Sequence, residues 1–239
     1  MKRDFWILIF GICSLLIVSF LSSWLIIPTS MAAGGKSEPV LILDAGHGGE
    51  DGGASTASGH KESIMNLAVV LKLDQILGFC GVDPVLTRDS DISLHSESCE
   101  TIREKKVSDL KNRVSFINSY ENALVISVHQ NHFTDPRYSG SQVFYNTGDI
   151  SRQWGDRTQE ILRQVLNPEN GRKAKLLPDS VYLFKHITCP SILVECGFLS
   201  NGEEAALLQT ESYQRKTALA LAGACLQQLN ALQVFTGGD

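Results

Sequence analysis

The chain has 239 residues, 43% of them hydrophobic and 20% charged, which excludes a disordered or low-complexity polymer and suffices for one buried core. Its 21 Lys and Arg against 26 Asp and Glu give a net charge of −5. Without a basic run it lacks the electrostatic footprint of a phosphate-backbone binder, so no nucleic-acid partner is expected.

Residues 5–27, FWILIFGICSLLIVSFLSSWLII, carry no charged side chain and follow Lys2, Arg3 and Asp4. A hydrocarbon core of about 30 Å needs roughly 20 apolar residues, more than a cleavable signal usually contains, so the segment reads as an uncleaved membrane anchor. Lys2 and Arg3 orient the N-terminus to the cytoplasm and the rest of the chain to the outside. Pro28 and the small residues around Ala32 and Ala33 leave signal cleavage open, and either route exports the protein. Ile12 before Cys13 speaks against a lipoprotein signal, and Gly34, Gly35, Lys36 and Ser37 read as a linker. The chain therefore divides into 1–38, anchor or signal with linker, and 39–239, one exported domain. Outside the apolar segment lie Cys80, Cys99, Cys189, Cys196 and Cys225. This odd set has no CxxC spacing and reads as free thiols rather than as a zinc ribbon or a disulfide framework.

From Pro39 onward short β-branched runs alternate with longer helical patterns. This predicts one three-layer α/β domain with a mixed, mostly parallel central sheet flanked by helices. In chain order, a strand is expected over 40–43, a helix over 63–77 with Gly78 as its stop, and a strand over 83–86. A polar insertion over 89–106 reads as a surface loop, followed by a helix over 107–118 and a buried strand over 124–128. A short strand over 141–145, a helix over 151–166, a short strand over 181–184, a strand over 192–194 and a last helix over 212–232 complete the list.

The chemistry gathers where these strands end. Asp44-Ala45-Gly46-His47-Gly48-Gly49-Glu50-Asp51-Gly52-Gly53-Ala54 follows the first buried strand. Position 51 breaks the dinucleotide pattern GxGxxG and no P-loop lysine follows, so the loop reads as presenting His47 to a metal. His129 ends the strand over 124–128, and Glu62 opens the helix after the glycine loop. Together they make the two-imidazole, one-carboxylate set of catalytic zinc sites, although without HExxH spacing. Glu195 follows three aliphatic strand residues, a costly place for a carboxylate unless it is paired, in a cleft or catalytic. His132 is a rival ligand, whereas His60, His95 and His186 are assigned to surface or supporting roles.

Five motifs carry a family likeness in this order: Leu43-Asp44-Ala45-Gly46-His47-Gly48-Gly49; Lys61-Glu62; Leu86-Thr87-Arg88; Ile126-Ser127-Val128-His129-Gln130-Asn131; and Val194-Glu195-Cys196-Gly197-Phe198-Leu199-Ser200-Asn201. Over about 40–232 the chain resembles the zinc-dependent N-acetylmuramoyl-L-alanine amidases, the Amidase_3 family. The resemblance implies that His47, Glu62 and His129 bind Zn2+, that Glu195 is the catalytic carboxylate, and that Arg88 and Asn131 support the site. Residues 39–239 would then be the zinc amidase catalytic domain, cleaving the amide between the lactyl group of N-acetylmuramic acid and L-alanine of the stem peptide. Within the family the chain is most similar to the germination-specific amidases, which implies a part in spore cortex maturation and muramic-δ-lactam formation. The partners so implied are peptidoglycan, the membrane through the N-terminal segment, and an accessory or activating protein of unknown identity. Two other readings compete: a zinc peptidase acting within the stem peptide, and a non-catalytic wall-binding module.

Overall fold

A computed structural model of the chain describes residues 38–236. The apolar segment 5–27 expected to anchor the protein lies outside them. Among the described residues no helix is long and apolar enough to cross a membrane.

Three strands form the middle of the fold: β1 (Val40–Ala45), β3 (Ala123–Asn131) and β6 (Ser191–Phe198). Toward their N-terminal ends all three are nearly continuous apolar runs because helices cover both of their faces. Short β2 (Val85–Leu86) pairs outside β1; β4 (Gln142–Tyr145) and β5 (Lys175–Leu176) extend the other side. The order is β2-β1-β3-β6-β4-β5. Every pairing is parallel except the antiparallel one between β4 and β6, so the mixed, mostly parallel sheet expected from the sequence is the one observed.

Alternation along each strand sorts the side chains into two cores. Leu41, Leu43, Leu124, Ile126, Ile192 and Val194 pack with α1 (Glu62–Phe79), α3 (Asp149–Leu166) and α6 (Glu211–Thr236). Ile42, Val125 and Leu193 face α2 (Ile102–Asn118) and α4 (Tyr182–His186) across the sheet. A fully buried aliphatic side chain such as Ile42 or Val125 contributes about 1.5–3 kcal/mol. On this second face the apolar residues give way to polar ones toward the C-terminal edge: Ile42 then Asp44, Val125 then Ser127 and His129, Leu193 then Glu195. That transition positions the site.

Several local expectations are corrected. The run 181–184 is not a strand but lies at the start of α4, because a short apolar stretch satisfies both periodicities and packing against α2 decides between them. Helix α2 begins at Ile102 rather than 107, since Thr101 and Glu104 form a reciprocal capping box that nucleates its first turn within the polar insertion. Gly78 lies within α1, and the turn comes at Gly81 with φ +81°. Strand β5 and α5 (Gly202–Leu208) were not expected; the latter is capped by Asn201, whose side chain accepts from Glu204 N–H.

Candidate metal centre and active site

The glycine loop leaves β1 at Ala45 and returns to α1 at Glu62. Gly46 is dictated by a close approach: a Cβ there would stand 2.1 Å from the His129 ring. Gly53, at φ +66°, is hemmed in likewise, with a Cβ 2.5 Å from the Glu62 carboxylate and 2.7 Å from His47. His47 itself has φ +62°, among the described residues the one non-glycine in the left-handed region. Strain of this kind persists where surrounding contacts over-determine it, and here it aims an imidazole inward.

The result is that His47, Glu62 and His129 each present a ligand atom within 4.8 Å of the others, a group that can hold a metal ion. Glu62 Oε1 lies 3.3 Å from His47 Nε2 and 2.9 Å from His129 Nδ1, and the two rings meet edge-on at 5.0 Å. The carboxylate is anchored independently of these imidazoles. Gln130 N–H (3.2 Å) and Asn66 Nδ2 (3.3 Å) donate to Oε1, and Ala54 N–H donates to Oε2 (2.9 Å). Burial opposes ionisation of Glu62, but these surroundings, with His129 and His47 foremost, outweigh it and hold its pKa well below the ordinary carboxylate range. Burial also opposes the charge on His47; hydrogen bonds to Asp51 and Glu62 win and raise its pKa to about 9. Asp51 Oδ2 lies 2.9 Å from His47 Nδ1, and its Oδ1 pairs with Lys106 Nζ at 2.9 Å. The polar insertion is thereby fastened to the glycine loop.

Glu195 stands directly beside His129 in the β3–β6 register, about one strand spacing away. Among the described residues its Oε2 has no hydrogen-bond partner and is buried. Burial, reinforced by Glu62 and countered by His129 and His47, pushes its pKa up to about 7. Cys196 points to the opposite face into the packed core, where burial raises its thiol to about 12 and leaves it inert. All five cysteines outside the apolar segment are free.

The sequence-nominated residues thus separate cleanly. His47, Glu62, His129 and Glu195 converge, whereas His132 is exposed and outside the metal group. His60 and His95 bond Ser58 and Ser93, and His186 stacks on Tyr182, all away from it. Arg88 braces the loop from below: Nε donates to Ala45 O (2.9 Å) and one terminal nitrogen to Gly46 O (3.1 Å) and Ser63 O (2.8 Å). Asn131 contributes its backbone carbonyl, which accepts from Leu199 N–H at 2.7 Å.

A second brace was not foreseen. Arg113, 2% exposed, pairs with Asp44 and with Asp109 and also donates to Ala45 O and to His47 O (2.7 Å). Burial works against a charge on Asp44, but Arg113, Ser127 and Thr87 overcome it and hold the carboxyl below its usual range. The signals existed: an aspartate inside an apolar strand demands a partner, and Asp109 and Arg113 have helical i, i+4 spacing. Removing one partner of such a pair strands the other charge, so Arg113→Ala should lose about 3–5 kcal/mol of unfolding free energy in a denaturant titration. The double variant Asp44→Asn, Arg113→Met should recover part of it; a loss below about 1 kcal/mol in the single variant would remove the brace from the account.

Comparison with known proteins agrees with this geometry. Residues 41–227 match the family model described as N-acetylmuramoyl-L-alanine amidase. The germination-specific N-acetylmuramoyl-L-alanine amidase of Bacillus subtilis is 37% identical over 195 residues, 81% of this chain and 80% of that protein. AmiA, an N-acetylmuramoyl-L-alanine amidase of Escherichia coli, is 28% identical over 82% of this chain and 77% of its own length. Among solved structures, the CwlD amidase from Clostridioides difficile, in complex with the GerS lipoprotein, superimposes with a TM-score of 0.77 at 38% identity, covering 81% of this chain and all of that one. With its glycine loop, its two histidines and its two glutamates at one sheet edge, the chain belongs to the N-acetylmuramoyl-L-alanine amidase family.

Proposed function

We propose that this chain is a zinc-dependent peptidoglycan hydrolase that cleaves the amide between the lactyl group of N-acetylmuramic acid and the L-alanine of the stem peptide. The observation that carries the reading is the convergence of His47, Glu62 and His129 within 4.8 Å, with Glu195 in register beside His129. Two imidazoles and one carboxylate are the donor set of catalytic zinc sites, and Zn2+ held there supplies Lewis acidity toward water and the scissile carbonyl. The protein's own residues do the rest. Asn66, Gln130 and Ala54 hold the Glu62 carboxylate in place before any ion arrives. Asp51 takes the Nδ1 side of His47, which turns Nε2 inward. Glu195, with no competing donor on Oε2, receives the proton of the attacking water and returns it to the departing alanine nitrogen. Arg88 and Arg113 hold the Gly46 and His47 carbonyls, and so the loop that presents His47, in place.

Asp51→Asn should therefore weaken zinc binding about 10–100-fold by chelator competition and also lower the melting temperature of the metal-free protein modestly, since it removes the contacts to His47 and Lys106. Unchanged zinc affinity would make Asp51 a surface contact only.

Likeness to the germination-specific amidase supports a place in spore cortex maturation. Residues 1–38 then serve as anchor or signal with linker, and 39–239 as the catalytic domain outside the cytoplasm; an accessory lipoprotein, as the Clostridioides difficile amidase has, is compatible with this placement. Mass spectrometry of digested peptidoglycan tests the reaction. Release of intact stem peptides beginning with L-alanine is expected, and cuts within the stem would make the enzyme a peptidase. Spores formed without the protein should contain little muramic-δ-lactam; a normal content would move it to vegetative wall turnover.

A further inference from the structure

Beyond Glu195 the edge of the sheet carries a second feature. Between the pairs His129–Glu195 and Asn131–Phe198, β6 holds one residue more than β3, a bulge. Paired residues of neighbouring strands project to the same face, so the bulge turns Phe198 to the face of His129 and Glu195. Tyr138 stacks on the buried Phe198 ring at 6.2 Å and 29°, and Phe133 meets Tyr138 edge-on at 4.9 Å. The Arg172 guanidinium lies 4.9 Å from the Phe198 centroid and 5.7 Å from that of Tyr138.

Despite this support Phe133 and Tyr138 are 49% and 45% exposed. Their loop is tied down: Phe133 N–H donates to Ser200 Oγ, Asn201 Nδ2 to Pro136 O, and Gly140 N–H to the buried Glu204 carboxylate at 2.8 Å. Two solvated rings in a pinned loop keep apolar area in water and have little entropy left to lose on binding.

We propose that Phe133 and Tyr138, backed by Phe198 and Arg172, form a shelf on which a saccharide ring flanking the cleaved N-acetylmuramoyl unit of the glycan strand stacks. This rests on the amidase reading. The scissile amide joins a sugar to a peptide, so the cleft must receive one on each side of the metal group. On one side, a cavity of about 260 Å³ is bounded by His47, His129, Leu110, Val181, Tyr182 and Phe184; a pocket with walls suits the start of a peptide. The glycan strand continues in both directions and needs an open surface. A pyranose offers an apolar C–H face to an aromatic ring and a rim of hydroxyls to donors, and the Arg172 guanidinium over the Phe198 and Tyr138 rings, its Nε donating to Ser139 O, adds terminal N–H donors beside them.

The test compares purified glycan strands several disaccharides long that still carry stem peptides with a single N-acetylmuramoyl-peptide. Wild-type cleavage of both at the lactyl amide establishes the reaction itself, so its failure is separable from failure of the shelf. Tyr138→Ala with Phe133→Ala should raise KM for the strands about tenfold with kcat little changed, and leave KM for the short substrate within about twofold. Zinc content and melting temperature are measured on the same preparations. Tyr138→Phe, which keeps the ring, should restore the KM for strands, and Tyr138→Leu, which keeps apolar volume alone, should not. An unchanged KM for the strands, an equal loss on both substrates, or full rescue by leucine would each overturn the proposal. So would loss of binding to a partner protein with glycan kinetics intact, which would make the shelf a protein-docking face.

Discussion

His47→Ala and His129→Ala should each lose the metal and, with it, turnover. Both remove an imidazole that faces Glu62 Oε1, at 3.3 Å and 2.9 Å, so each leaves two of the three donors. Loss of a direct ligand exceeds loss of an orienting contact, so zinc affinity should fall by more than about 100-fold and peptidoglycan hydrolysis should track bound zinc. The fold should survive, because both rings are partly exposed while Arg88 and Arg113 still hold the loop carbonyls. Metal analysis after dialysis, alongside circular dichroism of the same sample, checks the expectation. A variant that retains stoichiometric zinc and wild-type turnover would remove that histidine from the ligand set.

Glu195→Gln should separate the base from the metal. The amide keeps the shape but cannot accept a proton, so kcat should fall about 10²–10⁴-fold with zinc content and substrate KM nearly unchanged. Loss of zinc would make Glu195 a ligand instead, and near-normal turnover would require another base. The same carboxylate sets a pH dependence. A base must be ionised, so wild-type kcat/KM should fall as pH drops through the pKa of Glu195. That pKa is about 7 in the metal-free protein, and a bound cation, adding positive charge, moves it lower. Stability follows with the opposite sign. The folded pKa lies above the ordinary value of 4.5, so the fold favours the protonated form, and this contribution is complete below about 4.5 and lost as pH rises through 7. Metal-free Glu195→Gln should therefore melt higher than metal-free wild type at pH 8, with the gap closing near pH 4. A wild type that melts higher at pH 8 would show that the carboxylate is not penalised.

Much of this site was legible in the chain. The glycine loop after an apolar run, a histidine ending one strand and a glutamate ending another can be read from period and placement, since strand ends of a parallel sheet share one edge. Local conformation was less legible. Residues 181–184 satisfied a strand pattern, yet they line the cavity beside His47 and His129 at the start of α4. The insertion 89–106 read as a plain surface loop, but its end is the first turn of α2, and Lys106 there reaches Asp51. Asn66 and Gln130 were assigned no role because a buried amide announces itself only through the partners that satisfy it.

What the sequence determined by itself was composition-level and periodic: one α/β domain, a mostly parallel sheet, and a His47, Glu62, His129 and Glu195 set nominated by residue type and by position after strands or, for Glu62, at a helix start. Those features depend on neighbours a few residues apart, which the chain carries in its own order. What only the tertiary structure decided was how distant segments meet. It joined Arg113 to Asp44 and to His47 O, and Lys106 to Asp51. It also inserted the bulge that turns Phe198 under Tyr138. The spacing of those partners in the chain encodes no distance between them. They meet because the sheet's order and its two packed faces bring them together, and a buried charge or aromatic ring takes whichever neighbour that packing provides.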